Sequence, residues 1–106
     1  MTTKSENDTR EFVREHELRV GNLSTPIRML VYRRKADGKL LLEQSHFVKT
    51  SIQYLPYVVT ELDGNDEAAA VKALQQVFID FYDQAVRRGY VASESWVVPN
   101  ANFQET

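Results

Sequence analysis

The chain has 106 residues, 42% of them hydrophobic, with 13 basic and 15 acidic side chains and a net charge of −2. This length has room for one domain, and the absence of cysteine excludes disulfides, zinc–thiolate sites and thiol nucleophiles. Acids and bases are interspersed, which argues against a general binder of nucleic acids or anionic membranes. Because we find neither a secretory signal nor an apolar run of the roughly 20 residues that a membrane span needs, we expect a cytoplasmic protein.

The first segment of the predicted domain is compatible with two structures. Asp8 and Glu11 resemble a capping box, which favours a helical turn. From His16 to Val20, however, apolar and polar residues alternate, as they do in a half-buried strand. We predict a strand over residues 12–20, with the helical turn as the alternative.

The next segments predict a β-hairpin. Apolar residues 27–34 and 39–47 flank Asp37 and Gly38, and an Asp-Gly pair between two such segments is typical of a hairpin turn. Apolar side chains fall on both faces of the first hairpin strand, which indicates a central position in the sheet. Residues 57–62 predict a third strand.

One long helix follows. Residues 63–67 supply capping oxygens and negative charge for its beginning, while Arg87, Arg88 and Gly89 are typical of its end. Apolar residues at spacings of three and four predict one stripe that faces the core: Val71, Leu74, Phe78, Phe81 and Ala85.

Residues 91–98 predict a final strand. We therefore expect an α+β fold, in which an antiparallel β-meander of three to four strands carries one long helix on one face and a final strand follows the helix. The predicted organisation is a disordered tail over residues 1–8, a single domain over 9–99 and a C-terminal tail over 100–106.

Two charged regions are candidate ligand sites. The acidic residues 61–67 could hold a cation, but they lack the calcium-loop pattern, and helix capping explains each of them. The basic hairpin could contact phosphates, although no glycine-rich phosphate loop accompanies it and a solvated hairpin tip explains its charges. Its basic residues are Arg28, Arg33, Arg34, Lys35 and Lys39.

The two histidines, His16 and His46, predict no metal or catalytic site. A metal site would need further ligands at suitable spacing. Ser45 precedes His46, but neighbouring side chains on a strand point to opposite faces, so we do not expect a nucleophile–base pair.

Four residues near the beginning of the helix form a candidate ligand site. Tyr54 and Tyr57 could line a pocket in which their hydroxyls orient a ligand, with Asp63 and Asp66 beside them. The alternative is that these aromatic residues fill the core or a contact between subunits.

The helix carries a second apolar edge formed by Ile79, Tyr82 and Val86. A helix packed on a sheet does not need this second edge. It is a candidate surface for a partner protein, and cover by another segment of the same chain is the alternative.

Leu55, Pro56 and Glu61, between a hairpin and a helix, match positions of a known motif. Residues 27–77 thereby resemble a Nudix hydrolase segment, in which a Leu-Pro-Gly-Gly stretch and a glycine-acid loop precede a helix with Arg-Glu-x-x-Glu-Glu. Tyr57 and Val58 stand where the family has glycines, and Lys72 and Ala73 stand where it has the Arg-Glu pair. Gln76 and Val77 replace its metal-binding glutamates. The resemblance therefore implies a related fold that has lost the magnesium ligands and the hydrolase chemistry.

The same region is also similar to HicB-type antitoxins. A short meander, a Leu-Pro pair near its last strand and an acid-started, alanine-rich helix carry this resemblance. HicB proteins bind a toxin ribonuclease and catalyse nothing, so the resemblance implies a protein-binding role.

These observations lead to two main functional hypotheses and a minor third one. The first is a non-enzymatic binding or regulatory module that self-associates as a homodimer or docks a protein partner, without catalytic residues, metal or cofactor. The alternative is a small-ligand-binding or degenerate Nudix-like domain with a pocket near the helix N-terminus. RNA contact through the basic hairpin is a third, minor hypothesis.

Overall fold

The computed structural model of the chain describes residues 9–103. The predicted tail over residues 1–8 lies outside the described residues, as does the last part of the predicted C-terminal tail. The described chain has the predicted α+β fold, with a four-stranded antiparallel sheet, one helix and a final strand after the helix. In chain order its elements are β1 (Arg10–Leu18), β2 (Ile27–Arg34), β3 (Leu40–Gln44), β4 (His46–Val48), β5 (Glu61–Leu62), α1 (Glu67–Arg87) and β6 (Val97–Pro99).

The main sheet has the strand order β1-β2-β3-β5, and each neighbouring pair is antiparallel. The strand predicted near the beginning of the chain is confirmed against the helical turn, although it lies at Arg10–Leu18 rather than 12–20. Its register with β2 shifts between Phe12 and Arg14, so Val13 forms a bulge. The bulge and the charged side chains of β1 protect this edge from pairing with other chains.

The second hairpin strand is shorter than predicted because the chain bends at Ser45. The N–H of Ser45 donates to the Arg28 carbonyl at 2.9 Å, and its Oγ accepts from the Arg28 N–H at 2.8 Å. β3 ends just before this bend, and β4 continues into a second, two-stranded sheet with β6. The prediction of one strand over residues 39–47 is therefore wrong.

Two other strands are also shorter than predicted. Only Glu61 and Leu62 of the predicted strand 57–62 pair with the main sheet, because the chain before them diverges toward β4, where Tyr57 forms a single bridge. Most of the predicted strand 91–98 is replaced by a coil and a 3-10 turn, Glu94–Trp96, which precedes β6.

The helix has the predicted beginning and end. Asp66 is the N-cap and accepts from the Ala69 N–H at 3.2 Å. At the other end Gly89 has a φ of +95°, and the N–H of Tyr90 donates to the Ala85 carbonyl at 3.1 Å, as in a Schellman motif. Among residues 9–103, no helix is long and apolar enough to cross a membrane.

The core lies between α1 and one face of the main sheet. The buried residues of the helix are Val71, Leu74, Phe78, Tyr82 and Ala85. They belong to one cluster with the buried sheet residues Ile27, Met29, Val31, Leu40 and Leu42. Burial of each Val, Leu, Ile, Phe or Met side chain in this cluster stabilises the fold by about 1.5–3 kcal/mol. Phe81, predicted for the core stripe, is only partly buried, and Tyr82 takes the place in the core instead.

Candidate functional site

A groove of about 420 Å³ opens between residues 57–66 and the first half of α1. Buried Leu62 and Leu74 line it, as do exposed Asp63 and Asp66, so its base is apolar and its rim acidic. The large apolar residues of the lining are Tyr57, Val59, Leu62, Leu74 and Val77. The helix adds the small residues Ala69, Ala70 and Ala73, and the polar loop adds Glu61, Asp63, Gly64, Asn65 and Asp66. We call this depression the groove.

Alanines on α1 create the space. Ala69 and Ala73 are one helical turn apart and therefore lie on the same side of the helix. Both are exposed, and both line the groove. Since each side chain is a single methyl group, the loop and the helix do not fill the volume between them. A longer side chain at either position would occupy it.

Tyr57 forms a fixed wall of the groove. Its N–H donates to the Val48 carbonyl at 3.0 Å. Its ring packs against Phe78 and Phe81, with centroid distances of 6.3 Å and 5.5 Å. The phenol hydroxyl makes no hydrogen bond with the described residues, so Tyr57 presents a polar group on a ring that the core holds in place.

The acidic residues of the rim have different roles. Asp66 caps α1, and Glu61 lies 3.6 Å from the Arg34 guanidinium and 4.0 Å from the Lys39 ammonium. Asp63 has no ion pair or hydrogen bond within the described residues. In that part of the chain no group of three or more His, Cys, Asp or Glu residues could hold a metal ion. Asp63 is therefore the carboxylate of the rim that no group of the described residues engages.

The structure brings together three of the four residues predicted as a ligand site. Tyr57, Asp63 and Asp66 all line the groove. Tyr54 does not, because it is 98% exposed on the preceding loop. The sequence pattern does not reveal the contribution of Ala69 and Ala73, since alanines in a helix are also typical of ordinary solvent-facing positions.

Beside the groove, the loop exposes three large apolar side chains, Tyr54, Leu55 and Val58, which we call the loop patch. A hydrogen-bonded side chain supports this loop from within. Gln53 accepts from the N–H and hydroxyl of Thr50 at 2.7 Å and 2.9 Å and donates to the Val48 carbonyl at 3.0 Å. The loop patch is thus presented by an ordered framework.

The predicted second apolar edge of the helix is divided by the structure. Tyr82 is buried against Trp96, with a centroid distance of 5.8 Å, so cover by another segment of the same chain applies to this residue. Val86 remains exposed and Ile79 is partly exposed.

Val86 belongs to a different exposed group at the C-terminal end of the helix. It lies in the same segment as exposed Tyr90 and Val91 and as the basic residues Arg87 and Arg88. We call these five residues the C-terminal patch. The sequence pattern does not reveal Tyr90 and Val91 as surface residues, because it predicts a strand that begins at Val91.

Ser45 and His46 lie closer than predicted. Because the chain bends between β3 and β4, the Ser45 Oγ lies 2.8 Å from His46 Nδ1, and the expectation that the two side chains point apart is wrong. The same Oγ accepts from the Arg28 N–H. Within the described residues, His46 has no further partner that would orient it as a catalytic base. Ser45 therefore stabilises the bend through its hydrogen bonds with Arg28.

His16 and the basic hairpin have structural partners. His16 Nε2 hydrogen-bonds to the Glu67 carboxylate, which joins β1 to the first turn of α1. On the hairpin, Arg28 pairs with Glu15 and Arg34 with Asp37, each at 2.8 Å. These ion pairs engage two of the five basic side chains of the hairpin, for which a solvated tip is the preferred interpretation.

At the positions of the Nudix metal ligands, Gln76 donates to Asp80 at 2.9 Å, and Val77 lines the groove. Comparison with known proteins adds no relative: no protein-family model, curated protein or solved structure matches the chain. The groove, the loop patch and the C-terminal patch are therefore the observations on which a function is argued.

Proposed function

We propose that the chain is a non-enzymatic binding module that docks a segment of a protein partner in the groove. The observation that carries this proposal is an apolar groove that follows directly on a loop with exposed apolar residues. Tyr57 lines the groove, and Tyr54 and Leu55, three and two residues before it, are exposed. Val58 lines a different depression, together with Phe47 and Phe103. A partner segment that continues from the groove onto the preceding loop would therefore also cover Tyr54 and Leu55.

The loop patch favours a protein over a small molecule as the occupant. Tyr54 and Leu55 are 98% and 76% exposed, although large apolar side chains grouped on a surface are typical of interaction sites. A small molecule in the groove would leave them in water. A polypeptide covers a larger area and buries both.

The carboxylates of the rim support binding rather than catalysis. Asp66 is engaged in capping and Glu61 in ion pairs, so both have a structural use. Asp63 has no such structural use and can attract a positively charged group of a partner.

The cytoplasmic location that we expect from the sequence stays a prediction.

The volume of the groove favours a second candidate function, the binding of a small amine-bearing apolar ligand. Small-molecule sites occupy roughly 300–1,000 Å³, and the groove has about 420 Å³. The Tyr57 hydroxyl and the Asp63 carboxylate would orient such a ligand. Titration of the labelled chain with small aromatic amines, followed by NMR, tests this candidate. Shifts confined to the groove that vanish in Asp63→Asn would support it, and unchanged spectra at millimolar amine would contradict it.

Photochemical crosslinking tests the protein-docking proposal. With benzoylphenylalanine in place of Leu55, the full chain should form discrete adducts with a protein in the cells that express it. The same group in place of exposed Glu17, on the edge strand β1, should form none.

A matched pair of alanine substitutions shows whether the groove is responsible. Ala73 lines the groove and Ala68 does not, although both are exposed on α1. Ala73→Gln should abolish the adduct by filling the groove, while Ala68→Gln should leave it unchanged. An adduct that survives Ala73→Gln, or the absence of any adduct at Leu55, would contradict the proposal.

A further inference from the structure

We propose that the partner of the groove is the C-terminal patch of a second copy of this chain, so that the protein self-associates head to tail; this inference rests on the proposed docking function. The described residues expose seven large apolar side chains. One is Phe12. Three belong to the loop patch and three to the C-terminal patch. The two surfaces therefore account for nearly all of the exposed large apolar residues.

The charges of the two surfaces are complementary. Residues 50–71 contain Glu61, Asp63, Asp66 and Glu67 and no lysine or arginine, whereas residues 84–93 contain two arginines and no acid. Neither arginine forms an ion pair or side-chain hydrogen bond within the described residues, and the same holds for Asp63. Opposite charges that lack partners within the chain can pair between copies, where they steer association and fix register.

The helix dipole explains only part of this arrangement. An acid in the first turn and a base in the last turn are ordinary stabilising features of a helix, and Glu67 and Arg87 fulfil them. The dipole gives no reason for exposed Val86, Tyr90 and Val91 beside the bases. Their chemistry, apolar side chains next to guanidinium groups, matches an apolar groove with an acidic rim.

The position of the two surfaces requires contact between copies. Ala73 in the groove and Val86 in the patch are about 20 Å apart along α1, at a rise of about 1.5 Å per residue. Because the helix is continuous from Glu67 to Arg87, one chain cannot place its own patch in its own groove. The contact is therefore between different surfaces of two copies, and in a pair one copy keeps a free patch while the other keeps a free groove for another contact.

Charge reversal and its rescue test this inference. At low ionic strength, the weight-average mass of the full chain in sedimentation should rise above the monomer's 12.2 kDa between about 10 μM and 1 mM, the affinity range of small, transient contacts. Asp63→Lys and Arg88→Glu should each remain monomeric over this range. An equimolar mixture of the two variants should associate again, because the unaltered groove of Arg88→Glu meets the unaltered patch of Asp63→Lys and the reversed groove meets the reversed patch. Asp83→Lys and Lys72→Glu, which change the charge by the same amounts at exposed positions on α1, should behave as the wild type.

A wild type that stays monomeric up to about 1 mM at low salt, or association that neither reversal weakens, would overturn the inference. Failure of the mixture to associate would also overturn it. The docking proposal would then still be judged separately by the Leu55 crosslink. An adduct with a different protein, lost in Ala73→Gln, would support the docking and exclude a second copy as the occupant, whereas an adduct of two chains would support both.

Discussion

Tyr82 packs its ring directly against the backbone of Gly21, at the loop between β1 and β2. A β-carbon built on Gly21 would overlap the ring, and the residue also has a φ of +54°. The N–H of the next residue, Asn22, donates to the Tyr82 hydroxyl at 3.3 Å. Loop 21–22 thus covers the tyrosine that the sequence leaves on the helix surface.

Gly21→Ala is expected to destabilise the protein by roughly 2–4 kcal/mol. The added methyl group forces the Tyr82 ring or the loop to move, at a cost of about 1–3 kcal/mol, and the positive φ adds about 1 kcal/mol. Gly38→Ala is the matched control, since Gly38 also has a positive φ but nothing within 4 Å. Its cost should be only the part due to backbone conformation, about 1 kcal/mol. Urea unfolding of both variants measures the difference, and equal losses would contradict the packing argument.

The contact with Gly21 shows where prediction from sequence reaches its limit. The helix bounds follow from local chemistry at Asp66 and Gly89, so they could be predicted. Whether Tyr82 is covered depends on a glycine far away in sequence, and no periodicity along the helix reveals it. The bend at Ser45 is similar, because its hydrogen bonds are made with Arg28 on the neighbouring strand.

The same distinction applies to the candidate site. Asp63, Asp66 and Tyr57 could be placed near the beginning of the helix because they are close to it in sequence. The volume between them depends on the small size of Ala69 and Ala73 and on how the loop packs against the helix. That packing is a tertiary property, so the sequence predicts the neighbourhood of the groove but not its shape.

Glu67→Ala is expected to lower the free energy of unfolding by about 2–4 kcal/mol. The carboxylate hydrogen-bonds to His16 and lies 3.5 Å from Arg14 Nε, so it links β1 to α1. It also lies in the first helical turn, where a negative charge is favourable by about 0.3–1 kcal/mol, and a charged hydrogen bond contributes about 1.5–3 kcal/mol. Glu17→Ala, at an exposed position of β1, should stay within about 0.5 kcal/mol of the wild type. Chemical denaturation compares them; a Glu67→Ala loss no larger than that of the control would refute the link.

Asp37 should make stability depend on pH in the acid range. Hydrogen bonds from the Arg34 guanidinium and from the Lys39 N–H lower the pKa of this carboxyl from 3.8 to about 2. Since the folded chain binds this proton more weakly than the unfolded chain, the stabilisation is complete above the unfolded pKa and is lost as the pH falls from about 4 to about 2. Wild type should therefore be more stable than Asp37→Asn at pH 6, with the gap closing toward pH 2. Asp83→Asn, at an exposed position of α1, is the surface control. Urea midpoints at several pH values measure the gap, and a constant difference would show that the carboxylate charge is not responsible.

Gln53 supports the loop patch from within. Its side chain accepts from the N–H and hydroxyl of Thr50, a residue that is only 1% exposed. Gln53→Ala removes that acceptor and leaves a buried donor without a partner, which costs about 1–3 kcal/mol. The loss should be local, because the helix and the main sheet do not depend on this side chain.

Hydrogen–deuterium exchange distinguishes such a local effect from a general one. Amides of residues 50–58 should exchange faster in Gln53→Ala, while those of α1 keep the rates that the global stability dictates. Gln76→Ala, which removes only the exposed bond to Asp80, should leave the loop unchanged. If Gln53→Ala does not accelerate exchange in the loop, the framework does not hold the patch. If it does, the same variant should weaken the Leu55 crosslink, because a mobile loop pays additional ordering entropy on docking.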